Sequence, residues 1–173
     1  MKKTLVILSF LLSVSLCSCM LASCGEKASE ASSNAVSSAA QNDTGDQQLS
    51  AVYDKIVEES SLPEMYTMTD GYIESYFGLT SDVMEDKVFA SAEDALLADT
   101  VAIVKVPEGV DTGVVEAAFK TVKEQKMIEL ESYNPDQYQR VKKASIKTIG
   151  QYVCYIVSDD NDAILNIIES SIA

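Results

Sequence analysis

Among side chains that commonly do chemistry, this sequence supplies 27 carboxylates, four thiols and no histidine. Without histidine there is no Ser-His-Asp or Cys-His nucleophile pair, no imidazole base working near pH 7, and no ordinary zinc site. No Ser-x-x-Lys occurs either, and no glycine-rich phosphate loop follows an apolar run. Carboxylates alone suffice for glycoside hydrolysis, and Asp99 and Glu108 flank the most strand-like segment. In so acidic a chain, however, such a pair is expected by chance. Asp159-Asp160-Asn161-Asp162 resembles the start of a calcium loop. An EF-hand would then need Gly and Glu where this chain has Ile164 and Ser170, so helix capping is the better account. Met65, Met68 and Met84 lack the tight repeat of a Cu(I) site and read as core filler. Cys154, inside an apolar run, reads as a small buried residue. No catalytic residue, metal ligand or cofactor is expected. The segment Tyr133-Asn134-Pro135-Asp136-Gln137-Tyr138, with Arg140 close behind, combines aromatics and a cation in an anionic chain. Tyr133, Pro135, Gln137, Tyr138 and Arg140 are therefore the expected interaction surface, with a helix turn whose tyrosines pack on the core as the alternative.

One thiol sits where a different chemistry applies. Leu21-Ala22-Ser23-Cys24 matches the bacterial lipobox, in which small residues let a peptidase fit beside a cysteine carrying a diacylglyceryl group. Upstream, Lys2 and Lys3 precede an apolar stretch from Leu5 to Leu16, the order of a secretory signal peptide. That stretch is shorter than the roughly 20 residues a membrane span needs. The expectation is cleavage between Ser23 and Cys24, lipid on Cys24, and residence on the extracytoplasmic face of a cell membrane. The signal takes Cys17 and Cys19 with it and Cys24 is lipidated, so Cys154 is left without a partner and stability must come from the core.

Cleavage would also remove two of the 13 basic residues and no acid, moving the net charge from −14 to −16. Such a chain is repelled by anionic polymers, and nucleic acid, which is held through phosphate neutralisation, is not an expected partner. An envelope protein or a small ligand is.

Three regions follow: a signal peptide over 1–23, the lipidated cysteine with a Ser/Ala/Gln-rich disordered linker over 24–48, and one domain over 49–173. With Val36 as its one large apolar residue, the linker cannot offset its ordering entropy, and its reach is on the order of 25 Å. In the domain, Leu49, Val52, Tyr53, Ile56 and Val57 recur at helical spacing. A short helix is predicted over Tyr72 to Phe77, a strand over Lys87 to Ala90, and a capping-box helix start at Ser91-Ala92-Glu93-Asp94. Thr100 to Val106 is the clearest strand, and a helix with the stripe Val115, Phe119, Val122 follows it. Ser145 to Ile149 and Gln151 to Ser158 form a hairpin at Gly150, the second strand being apolar on both faces, and a terminal helix carries Ile164, Leu165, Ile168 and Ile172. The fold class is α+β, a small, mostly antiparallel sheet of about three to four strands with helices packed on one face.

Several of these stretches together resemble a family of bacterial lipoproteins carrying the domain of unknown function 4358. They are Tyr76-Phe77-Gly78-Leu79, Ala98-Asp99-Thr100-Val101-Ala102-Ile103-Val104-Lys105, Tyr133-Asn134-Pro135-Asp136-Gln137 and Gly150-Gln151-Tyr152-Val153, spread over most of Leu49 to Ser158. An acidic residue is usual in that family where this chain has Thr100. The resemblance implies an envelope address and a single domain. It carries over no catalytic residue, which leaves a non-enzymatic binding or interaction module as the expected function, with a carboxylate-dependent wall-glycan enzyme or a small solute-binding lipoprotein as alternatives.

Overall fold

The computed structural model describes residues 46–172. The expected signal peptide, Ser23, Cys24 and the linker up to residue 45 lie outside the described residues. The first helix, α1 (Asp46–Glu59), begins three residues inside the stretch assigned to the linker, with Asp46, Gln47 and Gln48 forming a turn ahead of Leu49, the first residue of the apolar stripe. The buried Asp86 carboxylate accepts a hydrogen bond from the Leu49 backbone N–H at 3.1 Å, which answers one of the donors a first helical turn leaves open.

Three strands assemble from the middle of the chain: β1 (Met65–Thr67), β2 (Asp86–Ala92) and β3 (Thr100–Lys105). Between the first two lie α2 (Asp70–Phe77), ended by Gly78 at φ +67°, and a 3-10 turn over Ser81–Val83. After β3 come α3 (Gly113–Leu130) and α4 (Pro135–Lys142), then the hairpin of β4 (Ser145–Ile149) and β5 (Tyr152–Val157), and finally α5 (Asn161–Ile172). All pairings are antiparallel, in the order β1-β2-β3-β5-β4. No helix among the described residues is long and apolar enough to cross a membrane.

The class is α+β, as expected, with two differences in build. The sheet has five strands because β1, three residues long, carries too little pattern to read from sequence. Helices cover both faces rather than one. Side chains alternate across a strand, and in the interior strands β3 and β5 both parities are apolar. Val101, Ile103, Cys154 and Ile156 therefore face α1 and α5, while Ala102, Val104, Val153 and Tyr155 face α2, α3 and α4. The expected helix start at Ser91 is also corrected. Ser91 pairs with Thr100 and with Tyr66 inside the sheet, and Asp94 Oδ1 accepts from the Leu96 N–H at 2.9 Å in a turn. A local capping pattern has yielded to cross-strand pairing.

Candidate ligand cleft

On the face covered by α2 and α3, the core is aromatic. Phe119 lies 5.8 Å from Phe77 and 6.0 Å from Phe89 in edge-on contacts, and it stacks on Tyr155 at 5.6 Å with 29° between the rings. Helical spacing then sets a second pair. Tyr72 and Tyr76 are one turn apart on α2, with ring centres 5.4 Å apart and planes 20° from parallel. Tyr66 joins them from the edge strand β1, where its Cα partner is Ser91. These four tyrosines come from β1, α2 and β5, and they line one cleft of about 260 Å³ at the end of the sheet where β2 stops and β3 starts.

Tyr155 forms the deep wall and is only 2% exposed. Among the described residues its hydroxyl has no hydrogen-bond partner, although every side-chain polar atom sealed from open space has one. The hydroxyl therefore meets open space, and that space is the cleft. Tyr66 and Tyr72 stand at the mouth, 40% and 44% exposed. Burial, followed by the nearby Glu129 carboxylate and the Tyr72 and Tyr66 phenols, pushes the Tyr76 hydroxyl up to about 12. Burial followed by Tyr76 raises Tyr155 as well. Both phenols stay protonated at neutral pH and present O–H groups that donate and accept. Lys126, on the α3 wall, is paired with Glu129 at 3.2 Å, and the exposed Glu93 lies at the rim.

The loop that closes this cleft, carrying Ala95, Leu97 and Ala98, is held by the segment expected to be an interaction surface. Pro135 opens α4 at its first turn, and Asn134 caps it, its side chain accepting from the Gln137 N–H at 3.4 Å while Nδ2 donates to the Leu96 carbonyl at 3.1 Å. Gln137 is buried, and its Oε1 accepts from the Ala98 N–H at 2.8 Å. Arg140 donates to Asp99 Oδ2 at 2.5 Å and Asp159 Oδ1 at 2.6 Å, bridging the start of β3 to the end of β5. Gln137 and Arg140 thus brace the fold. Tyr138 packs half-buried against the aromatic core, and Tyr133 remains exposed. The five residues do not share one open face.

The other candidates separate. Asp99 is committed to Arg140, and the strand β3, roughly 20 Å long, runs between it and the turn that carries Glu108, so the two do not form a glycosidase pair. Asp160 Oδ1 accepts from the Ala163 N–H at 3.1 Å, the expected cap of α5. Met68 and Met84 are buried on the aromatic face, whereas Met65 packs on the opposite one. Cys154 is fully buried among aliphatic side chains, which drives its thiol up to about 12.

Sequence reasoning missed the four cleft tyrosines as a group. Their only local signal is the one-turn spacing of Tyr72 and Tyr76, since Tyr66 and Tyr155 are brought in by strand pairing. A family model described as "Domain of unknown function (DUF4358)" matches residues 58–158, a span containing the whole cleft. No curated protein and no solved structure matches the chain.

Proposed function

Since this chain belongs to the DUF4358 family, whose domain holds the tyrosine cleft, we propose that it is a non-enzymatic small-ligand-binding module, tethered to the extracytoplasmic face of a membrane through lipid on Cys24. The observation that carries the binding reading is the Tyr155 hydroxyl, which opens to the cleft from a buried ring and is unanswered by any described residue. A hydroxyl that opens into a cleft from a buried ring is free to donate to and accept from a ligand, and the apolar surroundings of the ring strengthen the bond so formed. The anchor reading is supported by the amino-terminal pattern of Lys2-Lys3, the apolar stretch and Leu21-Ala22-Ser23-Cys24. A linker of the composition of 25–45 would let the domain sample ligands within a few tens of ångströms of the membrane. Acidity argues against nucleic acid or anionic polymers as partners.

Two measurements test the two halves. Metabolic palmitate labelling with membrane fractionation should show wild type in the membrane and Cys24→Ser unlabelled and released; a labelled, membrane-bound Cys24→Ser protein would end the anchor reading. Thermal melting of the detergent-solubilised full chain against neutral, cationic and anionic small molecules should show saturable protection that weakens in Tyr155→Phe. Protection identical in both proteins would place binding elsewhere.

A further inference from the structure

Resting on that binding reading, we infer that the cleft accepts one neutral polyhydroxylated ring, a single sugar unit, either free or at the end of a glycan. The first support is the chemistry of the wall. Tyr155 at the base and Tyr76 beside it present phenol hydroxyls, each of which donates one hydrogen bond and accepts others. The ligand group that answers both roles at one atom is another hydroxyl. A carboxylate or phosphate only accepts, and an ammonium only donates.

Charge points the same way. The one cation on the wall, Lys126, is paired with Glu129, and Glu93 stands at the rim. An anionic ligand would meet two carboxylates and a lysine already paired. A cationic ligand would find Glu129 already paired with Lys126 and only the exposed Glu93 at the rim to answer it. The rings do not form a cage around a quaternary ammonium either, because one face of Tyr76 is taken by Tyr72 and one face of Tyr155 by Phe119. What is open is the Tyr72 ring at the mouth, 44% exposed and stacked on one side only. A ring face is negative, and the C–H face of a sugar is weakly positive, so the two pack together. The volume, about 260 Å³, suits one substituted ring rather than a chain, since an apolar cavity of about 150 Å³ already admits benzene.

The test is calorimetry on the detergent-solubilised full chain with glucose, galactose and N-acetylglucosamine, with neutral oligosaccharides ending in the same units, and with choline and inorganic phosphate. Expected is saturable binding of at least one neutral sugar, weakened about tenfold by Tyr155→Phe, which loses one hydrogen bond to the ligand, and several-fold by Tyr72→Ala at the exposed mouth. Circular dichroism melting should show both variants folded. Binding of the monosaccharide alone identifies a free sugar, and tighter binding of the oligosaccharide identifies a glycan end. Choline or phosphate binding that depends on Tyr155 would overturn the sugar inference and leave the binding module standing. Absence of binding by every compound, or sugar binding indifferent to both substitutions, would overturn the sugar inference and count against the cleft itself.

Discussion

The two faces of the sheet are built from different materials. Beneath α1 and α5 the core is aliphatic: Leu49, Ile56, Val101, Ile103, Ile156, Ile164 and Ile168 fill the space around the Cys154 thiol, with Tyr53 and Tyr152 packed at the margin. Beneath α2, α3 and α4 it is aromatic, with Phe77, Phe89 and Phe119 in mutual contact and Tyr155 stacked at their margin. Branched aliphatic side chains close tightly over a sheet. Large planar rings leave gaps at the margin of their cluster, and phenols carry a polar tip to put there. One face therefore serves stability, and the other combines stability with an opening.

The hardest way to break this contrast is to empty its centre. Phe119→Ala should lower unfolding free energy by about 3–5 kcal/mol in denaturant titrations, and it should also alter the near-ultraviolet tyrosine dichroism through loss of the Tyr155 stack. Ile103→Ala, on the aliphatic parity of the neighbouring strand, should cost about 2–5 kcal/mol while leaving that dichroism in place. If both changed it equally, the faces would not be independent.

Next in size is the brace. Arg140→Ala leaves Asp99, whose side chain is 3% exposed, without its cation. The expected loss is about 2–3 kcal/mol, less than a fully buried pair because Arg140 keeps 19% exposure. Asp159→Ala removes the 83%-exposed partner of the same arginine and should cost under about 1 kcal/mol.

An alkaline titration separates the buried thiol from the tyrosines. Burial raises the Cys154 thiol from 9.0 to about 12 and the Tyr76 phenol from 10.0 to about 12. Each group is an acid that holds its proton more tightly when folded, so its contribution is fully present below its unfolded value. It is lost as pH rises towards 12, where the unfolded chain has released the proton and the folded one has not. Stability should therefore fall from about pH 9 upward. In Cys154→Ala the first part of that fall should vanish, and the part beginning near pH 10, which belongs to the tyrosines, should remain. An unchanged onset would mean that the thiol is not buried.

The smallest effect is the most informative about the cleft. Tyr155→Phe removes a hydroxyl with no partner among the described residues, so stability without ligand should change by no more than about 0.5 kcal/mol. A loss above about 1 kcal/mol would show that the hydroxyl has a structural role.

Much of the scaffold is legible from local pattern. The run Thr100-Val101-Ala102-Ile103-Val104 forms a strand because β-branched residues crowd a helix and suit a pleat. Gly150 marks the hairpin of β4 and β5 because the turn needs the φ of +58° seen there. Helical stripes place α1, α3 and α5 within a few residues. The candidate site was not legible. Tyr133 to Arg140 sets aromatics and a cation side by side in sequence, yet Gln137 and Arg140 spend their polar groups on Ala98, Asp99 and Asp159, 39, 41 and 19 residues away. Ser91 misled for the mirror-image reason, since its neighbours suggest a cap and its actual partner is Thr100 across the sheet.

By itself, then, the sequence determined the charge, the absence of histidine chemistry, the α+β class and the span of most elements, because each depends on composition or on neighbours within one or two turns. Tertiary structure alone decided that both faces of the sheet are covered, that β5 lies beside β3, and that Tyr66, Tyr72, Tyr76 and Tyr155 meet around one opening. The physical reason is the range of the interactions. Caps and periodicity act along the chain, whereas a cleft is the space left where distant elements, each satisfying its own backbone and burying its own stripe, fail to fill the corner between them.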